Sequence, residues 1–191
     1  MRRIYNLQAL NFLQNCSLNI GLFGGSFNPA HQGHLKTSSS ALKFFEFDYI
    51  IWLVALQNPM KPAYSLDIFT RARNALSIID NSKILVSTAE HDIGTGYLYK
   101  VLRVLREKFP HIKFSWLMGA DNLVSFNSWE GSEEIIKSHR IIVFDRPGST
   151  NFLANNNKFT NLASFNDNII YYYGPKENIS STEIRKGNQV I

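Results

Sequence analysis

Cysteine is almost missing from this chain: Cys16 is the only one in 191 residues. A single thiol excludes an internal disulfide and any Cys-rich metal site, and such usage fits a reducing compartment. Long apolar runs are missing too. The longest, Tyr49 to Leu56, falls far short of the ~20 residues that cross a bilayer as a helix. Met1-Arg2-Arg3 opens like a signal peptide, but Asn6, Gln8, Asn11, Gln14 and Asn15 interrupt any apolar segment behind it. A cytoplasmic protein with no membrane partner is therefore expected. Charge is also modest, 20 Lys and Arg against 15 Asp and Glu for a net +5. The excess suits an anionic ligand. Its scattered basic residues lack the basic run interleaved with aromatics that RNA binding calls for, so no nucleic-acid partner is expected.

What the chain does have is core material, 45% hydrophobic and 13% aromatic residues, enough for one well-buried domain. We place that domain over residues 18–191. Residues 1–17 read as an N-terminal extension in which Ile4, Leu7, Leu10 and Leu13 recur at spacing three and can cover one side of the core. From Leu18 onward, short β-like runs alternate with helical periodicities. Strands are expected at Leu18–Phe23, Tyr49–Ala55, Lys83–Ser87, Lys113–Met118, Arg140–Phe144 and Asn168–Tyr173. Helices are expected at Gln32–Phe45, Leu66–Ile79, Tyr97–Phe109 and Glu133–Lys137, with a short terminal one after the last strand. This alternation predicts an α/β fold, a doubly wound parallel sheet with helices on both faces and ligands at the carboxyl ends of its strands. The asparagine-rich stretch 151–168 reads as a surface loop.

The chemistry concentrates after the first of these strands, in Gly24-Gly25-Ser26-Phe27-Asn28-Pro29-Ala30-His31-Gln32-Gly33-His34. Gly24 and Gly25 read as a tight turn whose missing Cβ atoms let the backbone approach a ligand. The helix that follows offers unpaired N–H groups and the positive end of its dipole to a phosphate. His31 near the N-cap and His34 in the first turn lie on one face, so both can donate to the same anion. The spacing is not the dinucleotide fingerprint G-x-G-x-x-G, and no metal ligand set surrounds the pair. A second anion site is readable in Ile179-Ser180-Ser181-Thr182-Glu183-Ile184-Arg185. There Ser180 or Ser181 can cap a helix, free hydroxyls and amides can take anionic oxygens, and Arg185 lies within about one turn of them. It can equally be an ordinary N-cap beside a solvated arginine.

The first segment resembles the signature of the Rossmann-like nucleotidyltransferase superfamily, in which an H-x-G-H pair binds the phosphates of a nucleoside triphosphate. Ile179 to Arg185 resembles the I-S-x-T-x-x-R motif of the same superfamily. By that resemblance Gly24, Gly25, Ser26, Phe27, His31 and His34 bind ATP together with Ile179, Ser180, Ser181, Thr182 and Arg185, and His31, His34 and Arg185 are catalytic. The run Trp116-Leu117-Met118-Gly119-Ala120-Asp121-Asn122-Leu123, Trp129 eight residues after Asp121, and Arg146-Pro147-Gly148 are similar to the bacterial nicotinate mononucleotide adenylyltransferases. Asn58-Pro59-Met60-Lys61 stands where that family has N-P-x-K.

This resemblance implies adenylyl transfer from ATP to nicotinate mononucleotide, giving deamido-NAD and pyrophosphate with Mg²⁺. Gly119, Asp121 and Arg146 join the ATP site, and Asn58, Lys61, Gly96, Tyr97, Leu98 and Trp129 the pyridine substrate. The residue chemistry leaves alternatives beside each role. Asp121 at a strand end can accept from a ribose hydroxyl, organise a cation or cap a helix. Trp129 can stack on a pyridine or fill the core. Lys61 can meet phosphate or water, and Arg146 can border adenine or turn the chain. One departure concerns the family's Ser-Tyr-Thr triplet, where Gly96 and Leu98 flank Tyr97 instead of hydroxyl residues; backbone amides can still bind the nicotinate carboxylate, and the choice between nicotinate and nicotinamide stays open. The other readings are a sibling H-x-G-H enzyme acting on nicotinamide mononucleotide or phosphopantetheine, and a non-catalytic nucleotide-binding protein.

Overall fold

The computed structural model describes residues 3–57, 66–145 and 167–173. Seven strands form one sheet in which every pairing is parallel. They are β1 (Ile4–Tyr5), β2 (Asn19–Gly25), β3 (Tyr49–Val54), β4 (Ile84–Ser87), β5 (Lys113–Gly119), β6 (Arg140–Phe144) and β7 (Ile169–Tyr172). Their order across the sheet is β1-β4-β3-β2-β5-β6-β7. The helices are α1 (Gln32–Phe44), α2 (Ile68–Ile78), α3 (Ala89–Ile93), α4 (Leu98–Lys108), α5 (Ala120–Phe126) and α6 (Ser132–Ser138).

The central strands are apolar on both faces, as a sheet covered on both sides requires. Side chains alternate across β3, so Ile50, Trp52 and Val54 enter one core cluster and Ile51 and Leu53 the other. On the first face Leu35 and Ala41 of α1 and Ile68, Ala72 and Ala75 of α2 complete the packing. The second face is closed by Val101, Leu102 and Leu105 of α4, Leu123 and Phe126 of α5, and Ile135 and Ile136 of α6. This is the doubly wound, Rossmann-like arrangement.

All six expected strands and all four longer helices among the described residues form, with ends displaced by a residue or two. The short elements are the ones the periodicities do not show. Ile4 and Tyr5 pair with Val86 and Ser87 as an edge strand, and Ala9–Leu13 forms a 3-10 turn that buries Leu10 and Leu13 in the second core. Residues 3–17 are thus built into the fold. The Ser87 hydroxyl and the Thr88 N–H both donate to the Tyr5 carbonyl, at 2.8 and 3.0 Å. Most of the asparagine-rich stretch and the expected terminal helix lie outside the described residues.

Strand order makes β2 the turning point. It pairs with β3 on one side and with β5 on the other, so the loops leaving β2 and β5 diverge to opposite faces and open a crevice between them. No helix among the described residues is long and apolar enough to cross a membrane.

Candidate active site

The segment from Gly24 to His34 stands at this turning point, but its glycines stand in a different element from the one expected. Gly24 and Gly25 are not a turn. They are the last two residues of β2, in register with Leu53 and Val54. A Cβ on Gly24 would run into the indole of Trp116 on β5. The missing side chain therefore has a packing reason, since the ring covers the strand where a methyl would stand. The turn itself falls later, where Phe27 takes a φ of 46°. Phe27 sends its ring into the core, stacked on Trp52 at 4.9 Å, so its side chain is not available to a ligand.

The histidines sit as the spacing predicts. His31 is the N-cap of α1 and His34 its third residue, with ring centroids 3.8 Å apart. The His34 Nδ1 accepts the His31 backbone N–H at 3.1 Å. A nitrogen that accepts carries no proton, so this bond assigns the His34 proton to Nε2, the donor a phosphate oxygen requires. Both rings are only 7% exposed. That of His34 lies among Phe27 at 4.8 Å and Phe23 and Trp52 at 5.8 Å. The helix is pinned behind it: Ser38 Oγ donates to the His34 carbonyl at 2.9 Å and accepts Trp52 Nε1–H at 2.7 Å. Neither Ser38 nor Trp52 carries a motif, and only the i+4 spacing of Ser38 from His34 hints at its part.

Across the crevice, Gly119 ends β5 opposite Phe144 and is the N-cap of α5. Asp121 is therefore in the first turn of α5 rather than capping it, an acidic group at the positive end of a helix. Trp129 follows α5, half-buried against the second core, edge-on to Phe126 at 5.4 Å and donating from Nε1 to Ser125 Oγ at 3.1 Å. Of its two expected settings the structure shows the core one, with part of the ring left at the surface.

Gly96, Tyr97 and Leu98 lead into α4. Tyr97 is the N-cap, its N–H held by Thr95 Oγ1 at 3.2 Å, with its ring exposed under Lys100 Nζ at 5.0 Å. Leu98 is buried in the core, so what it offers outward is the amide of a helix start. Asn58, Lys61, Arg146, Ile179, Ser180, Ser181, Thr182 and Arg185 lie outside the described residues.

Two buried charged residues bonded to the segments after β2 and β3 were not among the expected site residues. Arg71 of α2 is 1% exposed. Its Nη1 donates to the Ser26 carbonyl at 2.7 Å, its Nη2 to those of Ala55 and Leu56 at 2.8 and 3.3 Å, and its Nε to Leu66 at 3.0 Å. Glu90 of α3, 5% exposed, accepts the Leu56 N–H at 2.8 Å. Burial pushes its carboxyl up to about 7, against the opposing pull of that N–H and of Arg71. The sequence does hold one signal for Arg71: it shares the buried stripe of α2 with Ile68, Ala72 and Ala75, a place where an unpaired cation would be prohibitive.

Comparison with known proteins gives the same direction. Residues 22–187 match the family model described as cytidylyltransferase-like. A protein of Agrobacterium fabrum named probable nicotinate-nucleotide adenylyltransferase is 33% identical over 185 residues, covering 89% of this chain and 99% of its own. One of a Ruegeria species with the same name is 40% identical over 131 residues, 69% of each chain. Among solved structures, the Plasmodium falciparum nicotinic acid mononucleotide adenylyltransferase complexed with NaAD shares the fold at a TM-score of 0.72, with 21% identity over 88% of this chain and 83% of that one. The sequence, the doubly wound sheet and the paired histidines at its turning point meet in one assignment: the chain belongs to the cytidylyltransferase-like family and, within it, to the nicotinate-nucleotide adenylyltransferases.

Proposed function

We propose that the chain transfers the adenylyl group of ATP to nicotinate mononucleotide, forming deamido-NAD and releasing pyrophosphate, in the cytoplasm. The observation that carries this reading is the His31–His34 unit at the head of α1, in the crevice between β2 and β5. The 5′-phosphate of the mononucleotide is already an anionic nucleophile. It attacks the α-phosphorus in line and the bond to the β-phosphate oxygen breaks, so no strong general base is needed and positioning with charge neutralisation suffices. His34 Nε2–H and His31 donate to the α-phosphate region, where negative charge redistributes in the transition state. Gly24, Gly25, Ser26 and Phe27 contribute backbone to the phosphate chain, and Gly119 and Asp121 border the nucleoside. Arg185, with Ile179, Ser180, Ser181 and Thr182, takes the leaving pyrophosphate, and Arg146 lies by the adenine. Asn58, Lys61, Gly96, Tyr97, Leu98 and Trp129 receive the pyridine nucleotide.

Mg²⁺ is the divalent ion of this reading. Among the described residues no three His, Cys, Asp or Glu side chains gather into a cation site. A carboxylate suits such an ion, and Asp121 in the first turn of α5 is the residue that would hold it beside phosphate oxygens and water. Bound there, it would neutralise phosphate charge.

Pyrophosphate release from ATP, with nicotinate mononucleotide, nicotinamide mononucleotide and phosphopantetheine offered separately, tests the proposal. Turnover is expected with nicotinate mononucleotide. Turnover with another acceptor alone would reassign the substrate, and nucleotide binding without turnover on any of them would reject the enzymatic reading.

A further inference from the structure

The mechanism above uses neither Arg71 nor Glu90, yet they are the buried charged residues nearest to its phosphate loop. Burying an arginine costs several kcal/mol unless its donors are satisfied and its charge is balanced. Here the donors are spent on main-chain carbonyls from separate parts of the fold: Ser26 in the loop between β2 and α1, Ala55 and Leu56 just beyond β3, and Leu66 just before α2. Glu90 takes the remaining polar group of Leu56, its N–H, from the side of α3. Leu56 is thus held by its carbonyl from one charged side chain and by its amide from the other. The Ala55 N–H adds a direct tie, donating to the Gly25 carbonyl at 2.9 Å.

We propose that Arg71 and Glu90 are positioning residues for nucleotide binding, a latch that locks the segment after β3 to the segment after β2 and so fixes the backbone from Ser26 to His31. This rests on the reading of that backbone as the phosphate-binding loop. The geometry has the features a latch needs. Its bonds join residues far apart in sequence, Ser26 to Arg71 and Leu56 to Glu90. They go to backbone, so they set loop position whatever the loop side chains are. The planar guanidinium fork spans Ser26 on one nitrogen and Ala55 with Leu56 on the other, which a lysine ammonium cannot reproduce. The role is one of orientation, since the bonds of both side chains given above go to main-chain groups.

The test compares wild type, Glu90→Ala, Glu90→Gln and Arg71→Lys, each confirmed as folded by circular dichroism. Binding of a non-hydrolysable ATP analogue is followed beside steady-state adenylyl transfer with each substrate varied in turn. Glu90→Ala frees the Leu56 N–H and is expected to lower kcat/KM for ATP by about 10²-fold, the usual penalty for a misplaced site. Analogue affinity should fall by roughly tenfold, with KM for the pyridine substrate nearly unchanged. Glu90→Gln keeps an acceptor for Leu56 and should recover most of both losses. Equal losses in Ala and Gln, or lost thermal stability with unchanged analogue affinity, would overturn the latch. Should Glu90→Ala not fold, Arg71→Lys decides: weakened analogue binding in a folded protein supports the latch, and wild-type binding overturns it. A wild-type chain that binds the analogue but transfers no adenylyl group overturns the proposed reaction alone, because the binding comparison still reads the latch. One that does not bind it overturns both.

Discussion

His34 accepts the backbone N–H of His31 through Nδ1 at 3.1 Å while the His31 carbonyl accepts the His34 N–H at 2.9 Å. The two residues close a ring at the start of α1, so one of the proposed phosphate donors is also the cap that shapes the loop. Their alanine variants should therefore differ. Either one removes a proposed transition-state donor and is expected to cost about 10²-fold or more in kcat. Only His34→Ala also deprives the His31 N–H of its acceptor, which should lower unfolding stability by about 1 kcal/mol. Rate measurements paired with urea unfolding check this, and wild-type kcat in His34→Ala would remove the pair from the mechanism.

Gly24 and Trp116 occupy one space, the indole lying where a Cβ would be. Gly24→Ala must displace a ring that is 5% exposed and held in the core. Overpacking of this kind costs about 1–3 kcal/mol. A smaller aromatic at the partner position makes room, so Gly24→Ala with Trp116→Phe should be less destabilised than the sum of the single variants. A double-mutant cycle in denaturant measures the coupling; strict additivity would show that the indole is not what keeps position 24 a glycine.

How much of this was legible beforehand depended on whether the cause was local. The H-x-G-H spacing placed His31 at the N-cap and His34 one turn in because helix geometry alone determines it. Strand alternation and apolar stripes gave the sheet and its longer helices for the same reason. That Gly24 ends β2 instead of turning the chain, and that its missing Cβ leaves room for an indole on β5, depend on tertiary contacts that a sequence does not show. Arg71 and Glu90 act through Ser26 and Leu56, contacts set only by the tertiary fold. Ile4–Tyr5 is too short for any period to register, and it is recognised as a strand by its partners on β4.

Glu90 gives the fold a dependence on pH whose sign follows from its burial. Its carboxyl is raised from 4.5 to about 7, so the native state holds the proton more tightly than the unfolded chain. The associated stability is complete below pH 4.5 and is lost as pH rises through about 7. The charged group facing it is Arg71 on α2, which opposes the shift; His91 and Asp92, its neighbours on α3, are exposed. A shift of this size corresponds to about 3 kcal/mol. Glu90→Gln should accordingly show a flatter decline in unfolding free energy between pH 5 and about 8 than wild type. Chemical denaturation across that range provides the comparison, and parallel pH curves would assign the decline to other groups.

Gly131 shapes the turn that follows Trp129. It has a φ of 73°, which favours glycine, and a Cβ there would collide with the Tyr99 ring. Tyr99 in turn donates its hydroxyl proton to Glu130 at 2.8 Å, so the turn that follows Trp129 is braced against α4. Gly131→Ala adds backbone strain to a steric clash, together costing about 1–3 kcal/mol, and the relief open to it is movement of the turn with Trp129. If Trp129 stacks on the pyridine, KM for nicotinate mononucleotide should rise severalfold while KM for ATP holds. A loss of stability with both KM values unchanged would instead leave Trp129 as a core residue, and would move pyridine recognition to Tyr97 and the amides at the start of α4.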